Sequence, residues 1–476
     1  MQNALRINRA DYQERADYQE GQPNTHSAAF AGLFFFTLLL YVRPNETFPE
    51  VFGAFPIVKI VAIITLLAFF ASKISLAERL TIWPIELKML AVITLLGIAF
   101  IPLAASPKDS IDLLTDTFLK VVTIFVLMIN LLNSRERLRS IMKLSVICGS
   151  ALAVLAILSY AEGQFTVVTK GEDATVVALR ISGAVGGIFG NPNDLATSFN
   201  LLIPLATALA LTRKGAARAA YFACALLLGI GVLVTFSRGG FLGLVAAAGW
   251  LLWKIGRRNR ALTVMAFIFL MGVFLIIMPS GYSGRIISIF DSSSDPTGSS
   301  QARIDLLERA SSIASNHLVF GVGMGNYSIY SLHEMRAHNS FLEISAELGV
   351  FGLLAYLVMI FAPLGSLRRI GREARSTPNA DNDDVEIYYL SSAFQASLVA
   401  YMVCSCFGSI QYLWFLYYPL AYAVSLRRIR EADNQSRSSM KIVQPRPRAV
   451  LWRPHQRLKR NPPALAQNTD TPTANT

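Results

Sequence analysis

Residues 338–365 read HNSFLEISAELGVFGLLAYLVMIFAPLG, and this stretch decides how the rest of the chain is interpreted. It opens with the polar pair His338-Asn339 and continues as an apolar run long enough to cross a bilayer, which takes about 20 residues. Nine residues separate this pair from Gly349, and Gly352 comes three positions later. An imidazole directly before a membrane helix can act as a base at the membrane surface. That interpretation requires the chain to span a bilayer.

Apolar runs of similar length recur along the chain. Of its 476 residues, 53% are hydrophobic and 16% are charged, and the mean hydropathy is +0.45. These values exclude an ordinary soluble domain. The runs predict an all-α, polytopic integral membrane protein with about twelve transmembrane helices, near residues 28–42, 51–71, 89–104, 117–132, 144–160, 194–212, 219–235, 240–253, 261–279, 340–365, 388–407 and 412–426.

The basic residues predict the orientation of these helices, because Lys and Arg accumulate in short cytoplasmic loops. With both termini on the cytoplasmic side, five inner loops carry 18 basic residues, whereas six outer loops carry 9. Four of those 9 lie in one long outer loop, 280–338, between the ninth and tenth helices. The loops at 43–50, 105–116 and 408–411 are expected to be short connectors. Long outer loops, here 161–193 and 280–338, tend to hold function.

The two ends of the chain differ from its apolar centre, residues 28–426. Residues 1–27 mix both charges and are predicted to form a cytoplasmic segment. Residues 427–476 contain 11 basic residues and several prolines, a composition typical of a disordered cytoplasmic tail that is attracted to anionic lipid head groups. The net charge of +12 therefore does not indicate nucleic-acid binding, since no aromatic platform or recognised nucleic-acid-binding motif accompanies it.

The first outer feature leads into the sixth helix. Arg180 is followed by a glycine-rich stretch that ends in GNPND at 190–194. Asn193 or Asp194 is expected to cap the helix, and this structural role is weighed equally against substrate binding by Asn191 and Asn193. Arg180 is a candidate ligand for an anion.

The second outer feature is the tight turn SRGG at 237–240, between the seventh and eighth helices. An arginine in so short a turn must lie at the membrane interface. Arg238 could be a snorkelling anchor, but the anchors of this chain gather on the inner face. The flanking glycines let a bulky anion approach, so we favour anion binding by Arg238.

The third outer feature is the long loop at 280–338. Residues 301–314 have apolar side chains at helical spacing, which predicts an amphipathic helix on the outer surface. Arg303 and Arg309 lie six residues apart on this helix and point to different faces. The sequence GVGMGN at 321–326 lacks the spacing and surroundings of a dinucleotide-binding fingerprint, so we expect it to form a flexible turn back to the membrane.

Arg336 and His338 close this loop. Ser340-x-x-Glu343 predicts a capping box for the tenth helix, which would place His338 just outside a positive helix end. Nearby arginines and that helix end disfavour a charged imidazole, and a neutral imidazole is what a general base needs. The alternative is a surface histidine bonded to a loop carbonyl. We expect Glu343 and Glu347 to pair with Arg336 or another loop arginine, although carboxylates in membrane helices are also functional candidates.

Taken in order, these motifs are similar to one bacterial family. The Arg180 stretch with GNPN, the SRGG turn at 237–240, Arg303 in its loop helix and the His338-Asn339 motif together resemble the O-antigen ligase and O-antigen polymerase family. The resemblance covers roughly residues 180–365 by motif and the whole chain by topology. It implies a metal-independent glycosyltransferase of the inner membrane, without a cofactor, whose active site faces the periplasm.

The resemblance also implies substrates and residue roles. The donor would be a glycan on a polyprenyl diphosphate. The acceptor would be the lipid A-core sugar in a ligase, another lipid-linked repeat in a polymerase, or a protein hydroxyl in a related oligosaccharyltransferase. Arg238 and Arg303 would hold the diphosphate, with Arg180 as a weaker third ligand, and His338 would activate the acceptor hydroxyl. We add Arg336 and Asn339 to the predicted substrate-binding residues, Arg336 because of its proximity to His338.

The predicted chemistry is reasonable on physical grounds. Cleavage of a sugar–diphosphate bond leaves negative charge on the departing group, and guanidinium groups at a poorly hydrated interface stabilise that charge through paired hydrogen bonds. The attacking hydroxyl must lose its proton, which suits a neutral histidine. Because the diphosphate is already a good leaving group, no metal is expected to be required.

Two other functions are compatible with the sequence. Twelve helices with both termini inside are also common in transporters and flippases, here for a lipid-linked or anionic substrate. Such proteins have corresponding broken helices in their two halves, and the two long outer loops of this chain are not matched in that way. A non-catalytic scaffold would leave the outer arginines without a role. The sequence does not distinguish a ligase from a polymerase.

Overall fold

The apolar runs of the sequence form helices in the computed structural model. The structure describes residues 25–443, except for 54, 164–165, 171–174, 181–186, 257–264, 266–298, 332–334 and 377–381. The chain divides into two units, Met1–Ala432 and Asp433–Thr476. The contacts that follow lie within the first unit.

The described α-helices are labelled here in chain order. They are α1 (Ser27–Val42), α2 (Pro44–Thr47), α3 (Pro49–Phe52), α4 (Ile57–Ser75), α5 (Ile85–Ala99), α6 (Pro107–Asp112), α7 (Leu119–Leu131), α8 (Arg135–Ala161), α9 (Pro192–Leu211), α10 (Gly215–Val234), α11 (Arg238–Ile255), α12 (Ser299–Asn316), α13 (Tyr327–Tyr330), α14 (Ser340–Ser376), α15 (Asn382–Ser405) and α16 (Tyr417–Val443). A π-helical segment, Leu113–Phe118, connects α6 to α7, and short 3₁₀ turns occupy Ile101–Leu103 and Gly187–Gly190.

Eleven of the twelve predicted spans overlap these helices, and the one at 261–279 lies outside the described residues except for residue 265. Within the described ranges, seven helical stretches are long and apolar enough to cross a membrane: Ser27–Thr47, Ile57–Ser75, Arg135–Ala161, Pro192–Leu211, Gly215–Val234, Ser340–Ser376 and Asn382–Ser405. The prediction of a multi-pass α-helical membrane protein is confirmed. The count of twelve and the orientation stay predictions, in part because helices such as α5, with 15 residues, are shorter than about 20 residues.

The structure differs from the all-α prediction in one loop. The segment 161–193 contains an antiparallel hairpin of β1 (Thr166–Lys170) and β2 (Thr175–Arg180), with Thr166 opposite Arg180. Both strands are rich in Thr and Val, whose branched side chains favour extended backbone. The Thr- and Val-rich stretches of this loop are too short for the sequence alone to distinguish strands from irregular structure.

Helix α14 is interrupted at Gly349. The backbone there has φ 66° and ψ −166°, which divides the element into a short first part and a long second part. A Cβ atom at this position would lie 2.3 Å from the backbone oxygen of Val319. Only glycine combines this conformation with such a close approach.

The loop before α14 bonds to the backbone groups at this interruption. Backbone polar groups at membrane depth need partners within the protein. The pairs are Val350 N to Leu318 O at 2.8 Å, Val322 N to Ala346 O at 2.9 Å and Gly323 N to Glu347 O at 3.0 Å. The first part of α14 and the loop 318–323 therefore form one hydrogen-bonded unit.

Ion pairs join the helices at the ends that carry the predicted inner loops. Arg427 makes two hydrogen bonds to the buried carboxylate of Glu86, at 3.0 and 2.9 Å. Arg430 bonds to Asp384 at 2.6 Å, and both side chains are buried. Removing one partner of such a pair costs about 3–5 kcal/mol, so these contacts fix how α5, α15 and α16 meet.

Candidate functional site

The site is built where the predicted outer segments meet one another. Asn191, at the start of α9, accepts a hydrogen bond from the backbone N–H of Asn193 at 2.9 Å and caps the helix. The expectation that Asn193 or Asp194 is the cap was wrong. Instead, Oδ1 of Asn193 accepts a hydrogen bond from the Ser237 hydroxyl at 2.7 Å, which attaches the start of α9 to the SRGG turn.

The SRGG turn begins α11. The oxygen of Ser237 accepts from Gly240 N at 3.1 Å and caps the helix, so Arg238 is its first residue. Both glycines allow neighbouring segments to pack closely against the turn. A Cβ at Gly239 would lie 2.6 Å from Cβ of Phe407, and one at Gly240 would meet a neighbouring alanine. Arg238 is half-buried and lies at a helix end whose dipole favours anions.

His338 contacts the same segment that contains Phe407. Its backbone N–H donates to the Ser409 hydroxyl at 3.1 Å, and its φ of 50° is in the left-handed region. The side chain of His338 is half-buried. Residues 407–409, in and next to the predicted short connector 408–411, therefore contact both the SRGG turn and the His338 segment.

Asn339 caps α14, and the predicted capping box is wrong. Oδ1 of Asn339 accepts from the backbone N–H groups of Phe341 and Leu342 at 3.0 and 3.1 Å. The hydroxyl of Ser340 instead donates to the Gly408 carbonyl at 2.7 Å and accepts from the amide of residue 410 at 2.9 Å. The start of α14 is thus held by a segment about 70 residues further along the chain.

Glu343 has a buried carboxylate with several donors around it. It accepts from Ala337 N at 3.1 Å, from Gln411 Nε2 at 2.9 Å and from the Ser409 hydroxyl. A guanidinium nitrogen of Arg336 lies 3.9 Å from the carboxylate, so the expected pairing with Arg336 is confirmed. This carboxylate connects the end of the long loop to the segment before α16.

Glu347 is buried one turn further along α14. Its carboxylate accepts from the Tyr412 hydroxyl at 2.7 Å and from the backbone N–H of Tyr327 at 3.4 Å. Burial raises the pKa of the Tyr327 phenol above its ordinary value, so this phenol keeps its proton at neutral pH. A small pocket, partly open to solvent, is lined by Leu113, Gly325, Tyr327, Ser328, Arg336, Glu343 and Glu347.

The GVGMGN sequence at 321–326 is a packed structural element, and the expectation of a flexible turn was wrong. Val322, Met324 and Asn326 are buried. The side chain of Asn326 accepts from Ser106 N at 2.6 Å and donates to the Ser110 hydroxyl at 2.8 Å. Two predicted outer loops, 105–116 and 280–338, therefore contact each other.

The amphipathic helix predicted at 301–314 is present as α12. Leu306 is buried, and Ala310 and Ile313 belong to a small apolar cluster that also contains Ala337 and Ala346, so the helix packs on the first part of α14. Arg309 is exposed and donates to a loop carbonyl at 2.9 Å. The backbone of Arg303 lies in the same helix, and that of Arg180 at the end of β2. The side chains of Arg303 and Arg180 lie outside the described part.

The structure thus brings together segments that carry several of the residues predicted for the site. Among the described residues, no group of three or more His, Cys, Asp or Glu side chains is arranged to bind a metal ion. These contacts join the segments that carry Asn191, Asn193, Arg238, Arg336, His338 and Asn339.

Comparison with known proteins gives one family match, over part of the chain. Residues 223–357 match the Wzy_C family model, described as O-antigen ligase. No curated protein matches the chain. The matched segment includes Arg238, Arg303, His338 and the interruption at Gly349, whereas Arg180 precedes it. Together with the apolar helices, the match indicates a multi-pass membrane protein with an O-antigen ligase domain at residues 223–357.

Proposed function

We propose that this protein is a glycosyltransferase of the bacterial inner membrane. It moves a glycan from a polyprenyl diphosphate carrier to an acceptor sugar hydroxyl on the periplasmic face. The observation that carries the proposal is the shared contact of residues 407–409 with the SRGG turn and the His338 segment. A transferase needs its anion-binding group and its base near the same bond, and this segment joins the two.

The donor diphosphate is the proposed partner of the arginines. Arg238 begins α11, so a diphosphate there would meet both a guanidinium and the positive end of a helix. Arg303 is the proposed second ligand, with Arg180 as a weaker third. Asn191, Asn193, Arg336 and Asn339 are proposed to contact the donor or the acceptor around these groups. When the bond to the sugar breaks, the arginines stabilise the charge that develops on the diphosphate.

His338 is proposed to act on the acceptor. One ring nitrogen takes the proton of the acceptor hydroxyl as its oxygen attacks the anomeric carbon of the donor sugar. The bond between that carbon and the diphosphate oxygen breaks, and its electron pair leaves with the diphosphate. His338 then returns the proton to solvent or to the released carrier. No electron donor or acceptor is consumed in this step.

Purified protein in liposomes tests this function. The donor is a polyprenyl-diphosphate glycan with a fluorescent label on the sugar, supplied with a lipid A-core acceptor or with a second lipid-linked repeat. Transfer of the label to either acceptor supports the proposal, and the acceptor that is used separates ligase from polymerase activity. Movement of an intact donor between leaflets, without transfer, would contradict it and indicate a flippase.

A further inference from the structure

We propose that Glu343 is a positioning residue, which holds the backbone of Ala337 and His338 and thereby sets the place of the His338 imidazole. The inference rests on the proposed function, which assigns His338 as the base for the acceptor hydroxyl. Glu343 contacts neither substrate in this proposal. It acts through Ser409 and through the backbone N–H of Ala337.

The backbone of His338 needs such support. A φ of 50° is uncommon for a residue other than glycine, and it persists where surrounding contacts determine it. Two consecutive backbone N–H groups provide those contacts. The N–H of Ala337 donates directly to Oε2 of Glu343 at 3.1 Å, and the N–H of His338 donates to the Ser409 hydroxyl at 3.1 Å.

The Ser409 hydroxyl completes the connection to the same carboxylate oxygen. It accepts from His338 and donates to Oε2 of Glu343. One oxygen atom therefore fixes two successive peptide groups, one directly and one through a hydroxyl. Hydrogen bonds to a carboxylate are shorter and stronger than those between neutral groups, which makes this arrangement stiff.

The second oxygen of Glu343 is also occupied, so the carboxylate itself cannot turn freely. Oε1 accepts from Gln411 Nε2 at 2.9 Å, and Arg336 lies 3.9 Å away. The side chain of Glu343 is 3% exposed. Glu347, one turn further along the same helix, instead accepts hydrogen bonds from Tyr327 and Tyr412.

The consequence for the reaction follows from geometry. A base must lie within hydrogen-bond distance of the proton that it removes, and a displacement of about 1 Å can lower a rate on the order of 100-fold. Without the carboxylate or the hydroxyl, the backbone of His338 loses contacts that hold its left-handed conformation. The imidazole then leaves the position that it needs at the acceptor.

The primary test compares Ser409→Ala with Ser409→Thr, because the first removes the hydroxyl and the second retains one. Ser405→Ala is the matched control, because Ser405 is buried four residues earlier and its hydroxyl donates to the Met402 carbonyl within its own helix. We expect Ser409→Ala to lower kcat by about 10-fold or more with little change in the KM for the donor. Ser409→Thr recovers most of the loss, and Ser405→Ala behaves as the wild type.

A second pair of variants removes the carboxylate. Glu343→Gln keeps an oxygen where Oε2 lies. Its new NH₂ group replaces Oε1 and donates to Gln411 once the Gln411 amide turns, so that the Gln411 Oε1, which is buried without a hydrogen bond among the described residues, takes the place of Nε2. We expect Glu343→Gln to retain much more activity than Glu343→Leu. Equal kcat values for the wild type, Ser409→Ala and Glu343→Leu would overturn the proposal.

A readout that is independent of catalysis separates this inference from the proposed function. Diethyl pyrocarbonate modifies accessible, neutral imidazoles, and peptide mass spectrometry gives the rate at each histidine. His317 is exposed on the same loop and serves as an internal reference in every sample. We expect the His338 rate, relative to His317, to change in Ser409→Ala and Glu343→Leu but not in Ser405→Ala. An unchanged ratio would overturn the inference, whether or not the wild type transfers glycan.

Discussion

The hydroxyl of Ser237 donates to Oδ1 of Asn193 at 2.7 Å and connects two motifs that lie 44 residues apart. The hydroxyl oxygen of Ser237 also accepts a hydrogen bond from Gly240 N and thereby caps α11. One side chain thus orients the starts of α9 and α11. Because the caps and the packed glycines fix this turn, a change at Arg238 alters the chemistry of its side chain rather than the path of the backbone.

Arg238→Lys tests whether that side chain binds a diphosphate. Lysine keeps the charge but loses the planar fork of donors. We expect kcat/KM for the lipid-linked donor to fall on the order of 10- to 100-fold, the cost of losing one strong hydrogen bond to a charged group. Arg309→Lys is the control, because Arg309 is exposed and donates to the Tyr330 carbonyl. Wild-type kinetics in Arg238→Lys would indicate a simple membrane anchor.

Arg238 and Arg303 are predicted to hold the same anion, and a double-mutant cycle measures this directly. Residues that share a partner show coupling energies of roughly 0.5–3 kcal/mol, whereas distant and independent residues are additive. We expect the double variant Arg238→Ala and Arg303→Ala to lose less transition-state stabilisation than the sum of the single variants. The liposome assay gives the steady-state kcat/KM values of the wild type, the two single variants and the double variant. Additive losses would place Arg303 at a different site.

His338→Ala removes the proposed base. We expect transfer to fall by roughly 100-fold or more, the range of a general base, while membrane insertion and yield stay normal. His317→Ala is the matched control, since His317 lies just after α12 on the same loop and contacts the Tyr330 ring. Full transfer by His338→Ala would exclude His338 as the base.

Local patterns in the sequence predicted much of this architecture. Apolar runs located eleven segments that are helical in the structure. A membrane helix satisfies its backbone polar groups by its own internal hydrogen bonds, so a continuous apolar stretch is enough to predict it. The helical spacing at 301–314 predicted α12, whose buried residues Leu306, Ala310 and Ile313 follow that period. The order of the motifs also predicted the family that residues 223–357 match.

Those local patterns could not predict contacts between distant segments of the chain. Ser340-x-x-Glu343 has the spacing of a capping box, yet both side chains bond to residues 408–411, between 66 and 70 positions away. A local motif records which side chains share a helix turn, and it carries no information about a segment that arrives from another helix. Ser409 and Gln411, two polar residues between apolar runs, were the local signal for this contact.

The interruption of α14 depends on a distant contact in the same way, and it leads to a stability prediction. Gly349 lies within an apolar run, where glycine alone does not reveal a break. In the structure its φ is 66°, and the oxygen of Val319 occupies the place of a Cβ atom. Gly349→Ala therefore introduces backbone strain of about 1–3 kcal/mol together with a collision against Val319. Both effects separate the loop 318–323 from the first part of α14.

Gly365→Ala is the control, because Gly365 lies in the same helix and a Cβ there would have no neighbouring atom within 4 Å. Alanine is favoured over glycine inside a helix by roughly 0.5–1 kcal/mol. We expect the apparent Tm of the purified protein to fall in Gly349→Ala and to stay equal or rise slightly in Gly365→Ala. Equal Tm values for the two variants would mean that α14 is continuous through position 349. In that case loop 318–323 would not support the short first part of α14, which begins next to His338.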